Sequence, residues 1–181
     1  MDTITILYSP QPDEQADSSA AYQYAKRASD LLSQPETAIV NITRLSLDNL
    51  KSPRGFTLII LSCSADGSVD RTVRKLIRNM KNDTKKQEAE ENGCDQVERH
   101  ATSKLDGSIA IALLGHARCD NSANQMKDTI FNHGRKFHKC IEVHQSSSKL
   151  NTREILEVQV ELEGPDKPGG FDEWISTNSK Y

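Results

Sequence analysis

Four short stretches of the chain are apolar or β-branched almost without interruption: residues 3–8 (TITILY), 37–42 (TAIVNI), 56–62 (FTLIILS) and 108–115 (SIAIALLG). Runs of this length, bounded by turn residues, predict strands. The last two are apolar throughout, which predicts strands buried on both faces. Helical stripes lie between them. Ala20, Ala21, Tyr24, Ala28, Leu31 and Leu32 recur at helical spacing, with Asp17 or Ser18 as the cap and Pro35 marking the end. Val69, Val73, Leu76, Ile77 and Met80 predict an amphipathic helix over 69–80, for which Asp66 and Ser68 compete as caps. Ala123, Met126, Ile130 and Phe137 mark a third helix. Residues 139–145 (KCIEVHQ) alternate and read as a short fifth strand, and REILEVQVEL follows. Gly164-Pro165 and Pro168-Gly169-Gly170 then break the chain before a terminal helical turn, FDEWIS, whose Phe171 and Trp174 can dock on the sheet.

Strands alternating with helices, the central ones apolar throughout, imply a parallel sheet with helices on both faces. Right-handed crossovers leave few arrangements of five strands, and the doubly wound α/β order 2-1-3-4-5 fits. Its ligands bind beside strands 1 and 3. The 181 residues suit one domain spanning 1–181. One segment stands apart: residues 81–104, charged and nearly free of large apolar side chains, read as an inserted mobile loop with at most one helical stretch. A docking role for a partner protein is the alternative to a plain solvated loop.

Charge narrows the function classes. A net charge of -3 and a pI near 6.0 argue against nucleic acid, whose phosphates need a basic face. No apolar run approaches the ~20 residues of a membrane span. The first residues lack a basic region ahead of an apolar core, so no secretory leader is expected. Cys63, Cys94, Cys119 and Cys140 show no CxxC spacing, and a reducing, cytoplasmic setting is the expectation. No Ser-His-Asp order, HExxH or phosphate-binding GxxxxGK[ST] supports a hydrolase or nucleoside triphosphatase. His133, His138 and His144 read as surface or sheet-edge histidines.

Three polar loops would meet at the C-terminal edge of the sheet: residues 9–19, 62–68 and 116–122. The second, LSCSADGSVD ahead of an amphipathic helix, resembles a flavin loop of the FMN-binding flavodoxin domain of diflavin reductases. That pattern runs apolar strand, S-T-T/Y-G-D/E-G, helix. Ser62 matches the first Ser, Cys63 and Ser64 the next two positions, Ala65 the Gly, and Asp66-Gly67 the acidic residue and final Gly. Downstream, LDGSIAIALLGHARCDNSANQMKDTIFNHGRKF is similar to the family segment L-x-G-x-x-Y-A-V-F-G-L-G-D-S-x-Y, with Leu105, Gly107 and Gly115 matching. FDEWI resembles the aromatic-x-x-Trp that ends these domains. Serial order and spacing carry the likeness. It implies a flavodoxin-like fold and FMN as cofactor. The flavin would lie over residues 62–68 and over Gly115, His116, Ala117, Arg118, Cys119 and Asn121, with its phosphate near Ser9, Ser18 and Ser19. A reductase or other redox protein would be the partner.

The departures are as specific as the matches. The family's phosphate loop, S-x-T-G-T/N-A/T, is replaced by SPQPDEQADSSA, which has no Gly, two prolines without N–H donors, and the acidic Asp13, Glu14 and Asp17. Asn121 stands where the family carries a stacking Tyr. Two functions follow. One is an FMN-binding electron-transfer protein, or the detached FMN domain of a reductase, with a rearranged phosphate loop, Arg118 adding charge, and weak binding. The other is a flavin-free interaction module that keeps the fold. A phosphoacceptor receiver is disfavoured, because strand 3 ends Ser62-Cys63 rather than in Asp.

Overall fold

A computed structural model describes residues 4–11, 14–35, 38–44, 56–91, 108–116, 130–145, 155–160 and 170–178. At its centre lies β3 (Phe56–Cys63), in which every residue is buried. A strand with no polar face must be covered on both sides, and parallel neighbours with helices above and below supply that cover. The sheet has five strands, in the order β2 (Ile39–Asn41), β1 (Ile4–Ser9), β3, β4 (Ser108–Gly115), β5 (Leu156–Gln159). All four pairings are parallel. This is the doubly wound order expected from the sequence. The chain leaves β1 toward β2 on one side and returns to β3 on the other, so the winding reverses between β1 and β3.

Strand alternation sorts the core into two layers. Leu7, Ile59, Leu61, Ile111 and Leu113 face α2 (Arg71–Glu91) and α3 (Asn132–Gln145), meeting Val73, Leu76, Ile77, Phe137 and Ile141. Ile6, Leu58, Ile60, Ala110 and Ala112 face α1 (Ala20–Leu31) and α4 (Phe171–Asn178). Ala21, Ala25 and Ala28 keep the contact face of α1 small. Tyr24 beside them meets Phe171 edge-on, with ring centroids 4.9 Å apart. Arg27 clamps the same pair of helices, donating from Nε and Nη2 to the two Asp172 oxygens at 2.6 and 2.5 Å. The terminal FDEWIS segment thus docks as expected, as a helix rather than a single turn.

The fifth strand differs from expectation. Residues 139–145 form the second half of α3, and the fifth strand is Leu156–Gln159, taken from the REILEVQVEL segment. Phe137, Cys140 and Ile141 are all buried, and their spacing of three and four is helical. That stripe outweighs the local alternation of KCIEVHQ. β5 pairs with β4 from Ala112–Leu156 to Gly115–Gln159, and Arg135 of α3 reaches Glu157 through two bonds of 2.6 and 2.8 Å.

The helix expected over 69–80 runs instead from Arg71 to Glu91, through the first part of the charged segment. Lys, Gln, Glu and Ala are strong helix formers, so a helix nucleated by the apolar stripe propagates outward. The remainder of that segment, 92–104, lies outside the described residues. β2 is shorter than the 37–42 expected, because Asn41 folds its Oδ1 back onto the Thr43 N–H and Oγ1 at 2.9 and 2.7 Å. Among the described residues no helix is long and apolar enough to cross a membrane.

Candidate functional site

The register brings the C-terminal ends of three strands level. Ser9 pairs with Leu61, Ser62 with Leu114, and Cys63 with Gly115. The His116 N–H then donates to the Cys63 carbonyl at 3.0 Å and extends the ladder by one step. The edge beside β1 and β3 is where the winding reverses, the position at which doubly wound sheets generally bind ligands in a crevice between diverging loops.

The β3 loop is tightly self-bonded. The Gly67 N–H donates to the Ser64 carbonyl at 2.7 Å, the Ser64 N–H to the Ser68 carbonyl at 2.9 Å, and the Ser68 N–H to Asp66 Oδ1 at 2.9 Å. Gly67 sits at φ 77, a left-handed conformation that glycine adopts without a Cβ clash. His133, at the start of α3, donates from Nδ1 to the Gly67 carbonyl at 2.7 Å; an acceptor there fixes that tautomer. Bonds to Ser68 hold the exposed Asp66 carboxyl below its ordinary range. Neither Asp66 nor Ser68 caps the following helix, as the sequence had suggested. Asp70 does, its Oδ1 accepting the Thr72 N–H at 2.6 Å.

Ser62 and Cys63, adjacent in sequence, face opposite layers. Cys63 packs among Ile59, Leu61, Val69 and Val73 under α2. Burial pushes its thiol up to about 12, so it holds no thiolate for redox or nucleophilic chemistry near neutral pH. The expected flavin contact at Cys63 is a core residue. Ser62 points to the α1 side with Leu58 and Ile60. It is fully buried, and among the described residues its Oγ has no hydrogen-bond partner. A buried hydroxyl without a partner is uncommon, and this one lies at the winding reversal. Gly115 serves packing: a Cβ there would fall 2.7 Å from Ile130 and Phe131.

In the β1 loop, Ser19 is the N-cap of α1, not Asp17 or Ser18. Its buried Oγ accepts the Tyr22 N–H at 3.1 Å and donates to the Ala16 carbonyl at 2.7 Å. Ser18 is exposed and bonds only locally, to the Gln15 carbonyl at 3.3 Å. Ser9 is buried, its Oγ donating to the Pro10 carbonyl at 3.3 Å. Glu14 spans the loop. Its Oε2 accepts the Gln11 N–H and its Oε1 the Ala20 N–H, both at 3.3 Å. Asp13 of this loop, and Ala117, Arg118, Cys119 and Asn121 of the β4 loop, lie outside the described residues. Sequence reasoning placed Glu14 only as a repulsive charge and read His133 as a surface or sheet-edge histidine, missing its bond to the β3 loop. The signal for Glu14 was its place six residues before the first helical residue; for His133 there was none.

Neither a protein-family model nor a curated relative matches the sequence. Solved structures do. A mutant flavodoxin from Pseudomonas aeruginosa superposes with a TM-score of 0.53 at 15% identity, over 98% of this chain and 99% of the other. A Fusobacterium nucleatum flavodoxin bound to flavin mononucleotide gives 0.57 at 10% identity, over 98% and 96%. The fold is flavodoxin-like. An NADPH-quinone reductase from P. pentosaceus, at 0.52 and 13% identity over 99% and 98%, shares it.

The cofactor that such a fold implies can be tested against these residues. The ring end offers an unpartnered hydroxyl and a preformed loop. The phosphate end does not fit: a carboxylate already sits at the start of α1, and the Ser19, Ala20 and Tyr22 N–H groups all donate within the chain.

Proposed function

We propose that the chain is a flavodoxin-like redox protein that takes a flavin ring in the crevice beside β1 and β3 and exchanges electrons with a partner reductase or redox protein. The buried, unpartnered Ser62 hydroxyl at the winding reversal carries this reading. Ser64, Ala65 and Gly67 form the loop beside it, and His133 holds that loop in place. A flavin supplies the redox chemistry, while the protein supplies binding, orientation and electrostatics. No side chain acts as nucleophile or base. The diflavin-type resemblance favours a reductase as the electron-transfer partner.

A second reading, a flavin-free interaction module, is favoured by the self-bonded loops, since the Ser64, Gly67 and Ser68 N–H groups have no donor capacity left for a ligand. Titration of the full-length chain with riboflavin, followed by quenching of flavin fluorescence, separates the two. Saturable quenching that weakens on changing Ser62→Ala supports the redox protein. A colourless preparation that leaves riboflavin unquenched overturns it in favour of the module.

A further inference from the structure

Glu14 does more than repel an anion; it occupies the place of one. A helix N-terminus presents backbone N–H donors and a positive dipole end, and these are what a phosphate uses. In α1 three of these donors are spent. The Ala20 N–H, first in the helix, goes to Glu14 Oε1 at 3.3 Å, the Tyr22 N–H to Ser19 Oγ at 3.1 Å, and the Ser19 N–H to the Ala16 carbonyl at 3.4 Å. The other carboxylate oxygen of Glu14 reaches back to the Gln11 N–H at 3.3 Å, so one anionic group bridges the end of β1 and the start of α1. Capping alone does not call for this, because Ser19 already caps the helix.

We infer that Glu14 is a built-in substitute for a cofactor phosphate: the chain closes its own anion seat, and a flavin taken at the crevice is held by its ring, with no preference for the phosphorylated form. The statement about flavin rests on the function proposed above; the closed seat stands without it. A phosphate entering this loop would have to displace Glu14 from two backbone donors, and each charge-assisted bond is worth about tenfold to a hundredfold in affinity.

The test uses the full-length chain and its Glu14→Ala and Glu14→Gln variants, with two readouts. The first is the thermal midpoint in sodium sulfate against sodium chloride at equal ionic strength. Sulfate stabilises any protein by exclusion, so the quantity read is the difference between variant and parent. The midpoint of Glu14→Ala should gain more from sulfate than that of the parent. The second is the ratio of FMN to riboflavin affinity, which should be near one for the parent and rise about tenfold or more in Glu14→Ala. Glu14→Gln keeps an acceptor without the charge; it should shift the same way by less, and it carries the test if the alanine variant does not fold. An equal sulfate response in parent and variants overturns the closed seat. So does a parent that already prefers FMN tenfold or more. If no variant binds either flavin, the proposed function falls, and the sulfate readout alone decides the inference about Glu14.

Discussion

Ser62 and Cys63 show how much one position along a strand changes a residue's chemistry. The serial order of the loops marked both as flavin contacts, but the period of two sends them to opposite faces. Nothing in a fully apolar strand says which face is which, so that division was not legible in the sequence. Cys63 in the native protein should resist iodoacetamide at pH 8 while the denatured chain is labelled, as peptide mass spectrometry would show; prompt native labelling would contradict its burial. Its raised pKa also sets a sign. The contribution to stability is full below the ordinary thiol value of 9.0 and is lost as pH rises from there toward about 12, because only the unfolded thiol ionises in that window. Changing Ser62→Ala removes a hydroxyl that bonds to nothing among the described residues, so the thermal midpoint should hold or rise. A clear fall would mean that Ser62 has a partner. Gly67 was legible, since a DG pair ahead of a helix marks a turn. Gly67→Ala should cost about 1–2 kcal/mol in denaturant unfolding, the strain of a side chain at φ 77.

Among the elements, those with one strong period were legible and those with two competing periods were not. The stripe from Val69 to Met80 specified a helix, and FTLIILS a buried strand, because no other arrangement hides those side chains. KCIEVHQ satisfies alternation and helical spacing together, and only the packing of Phe137 and Ile141 against the sheet decides for the helix. The extension of α2 past Met80 was hidden for another reason: propensity without an apolar face looks like a loop. Amides of residues 71–80 should therefore exchange with deuterium more slowly than those of 81–91, where Lys81 and Asn82 are already exposed. Equal protection along the whole helix would mean that something covers its outer half. Docking of α4 rests on apolar packing more than on charge. Phe171→Ala should cost about 3–5 kcal/mol in denaturant unfolding. Arg27→Ala should cost under about 1 kcal/mol, since both partners of the Arg27–Asp172 pair are more than a third exposed. The Arg27 guanidinium holds the Asp172 carboxyl below its ordinary 3.8. The pair's small contribution is thus present above that value and fades as pH falls through the lower folded value.

At the scale of the whole molecule, alternation of apolar runs with helical stripes was enough for the doubly wound sheet and its strand order, even with the fifth strand assigned to the wrong segment. Winding order depends on the sequence of element types more than on their boundaries. The candidate site was legible as a place, the loops beside β1 and β3, but not as a donor inventory. Which N–H groups remain available depends on how each loop bonds to itself, and composition does not encode that. The account therefore turns on a division within one crevice, with a ring end that fits a ligand and a phosphate end closed by Glu14. The most direct measurement is the pair of dissociation constants of FMN and riboflavin for the unmodified chain, by fluorescence titration at one ionic strength. The account predicts values within about threefold of each other, because a phosphate that must first displace Glu14 from its two backbone donors adds little. FMN bound at least tenfold more tightly than riboflavin, about 1.4 kcal/mol or more, would show an open phosphate site and contradict it.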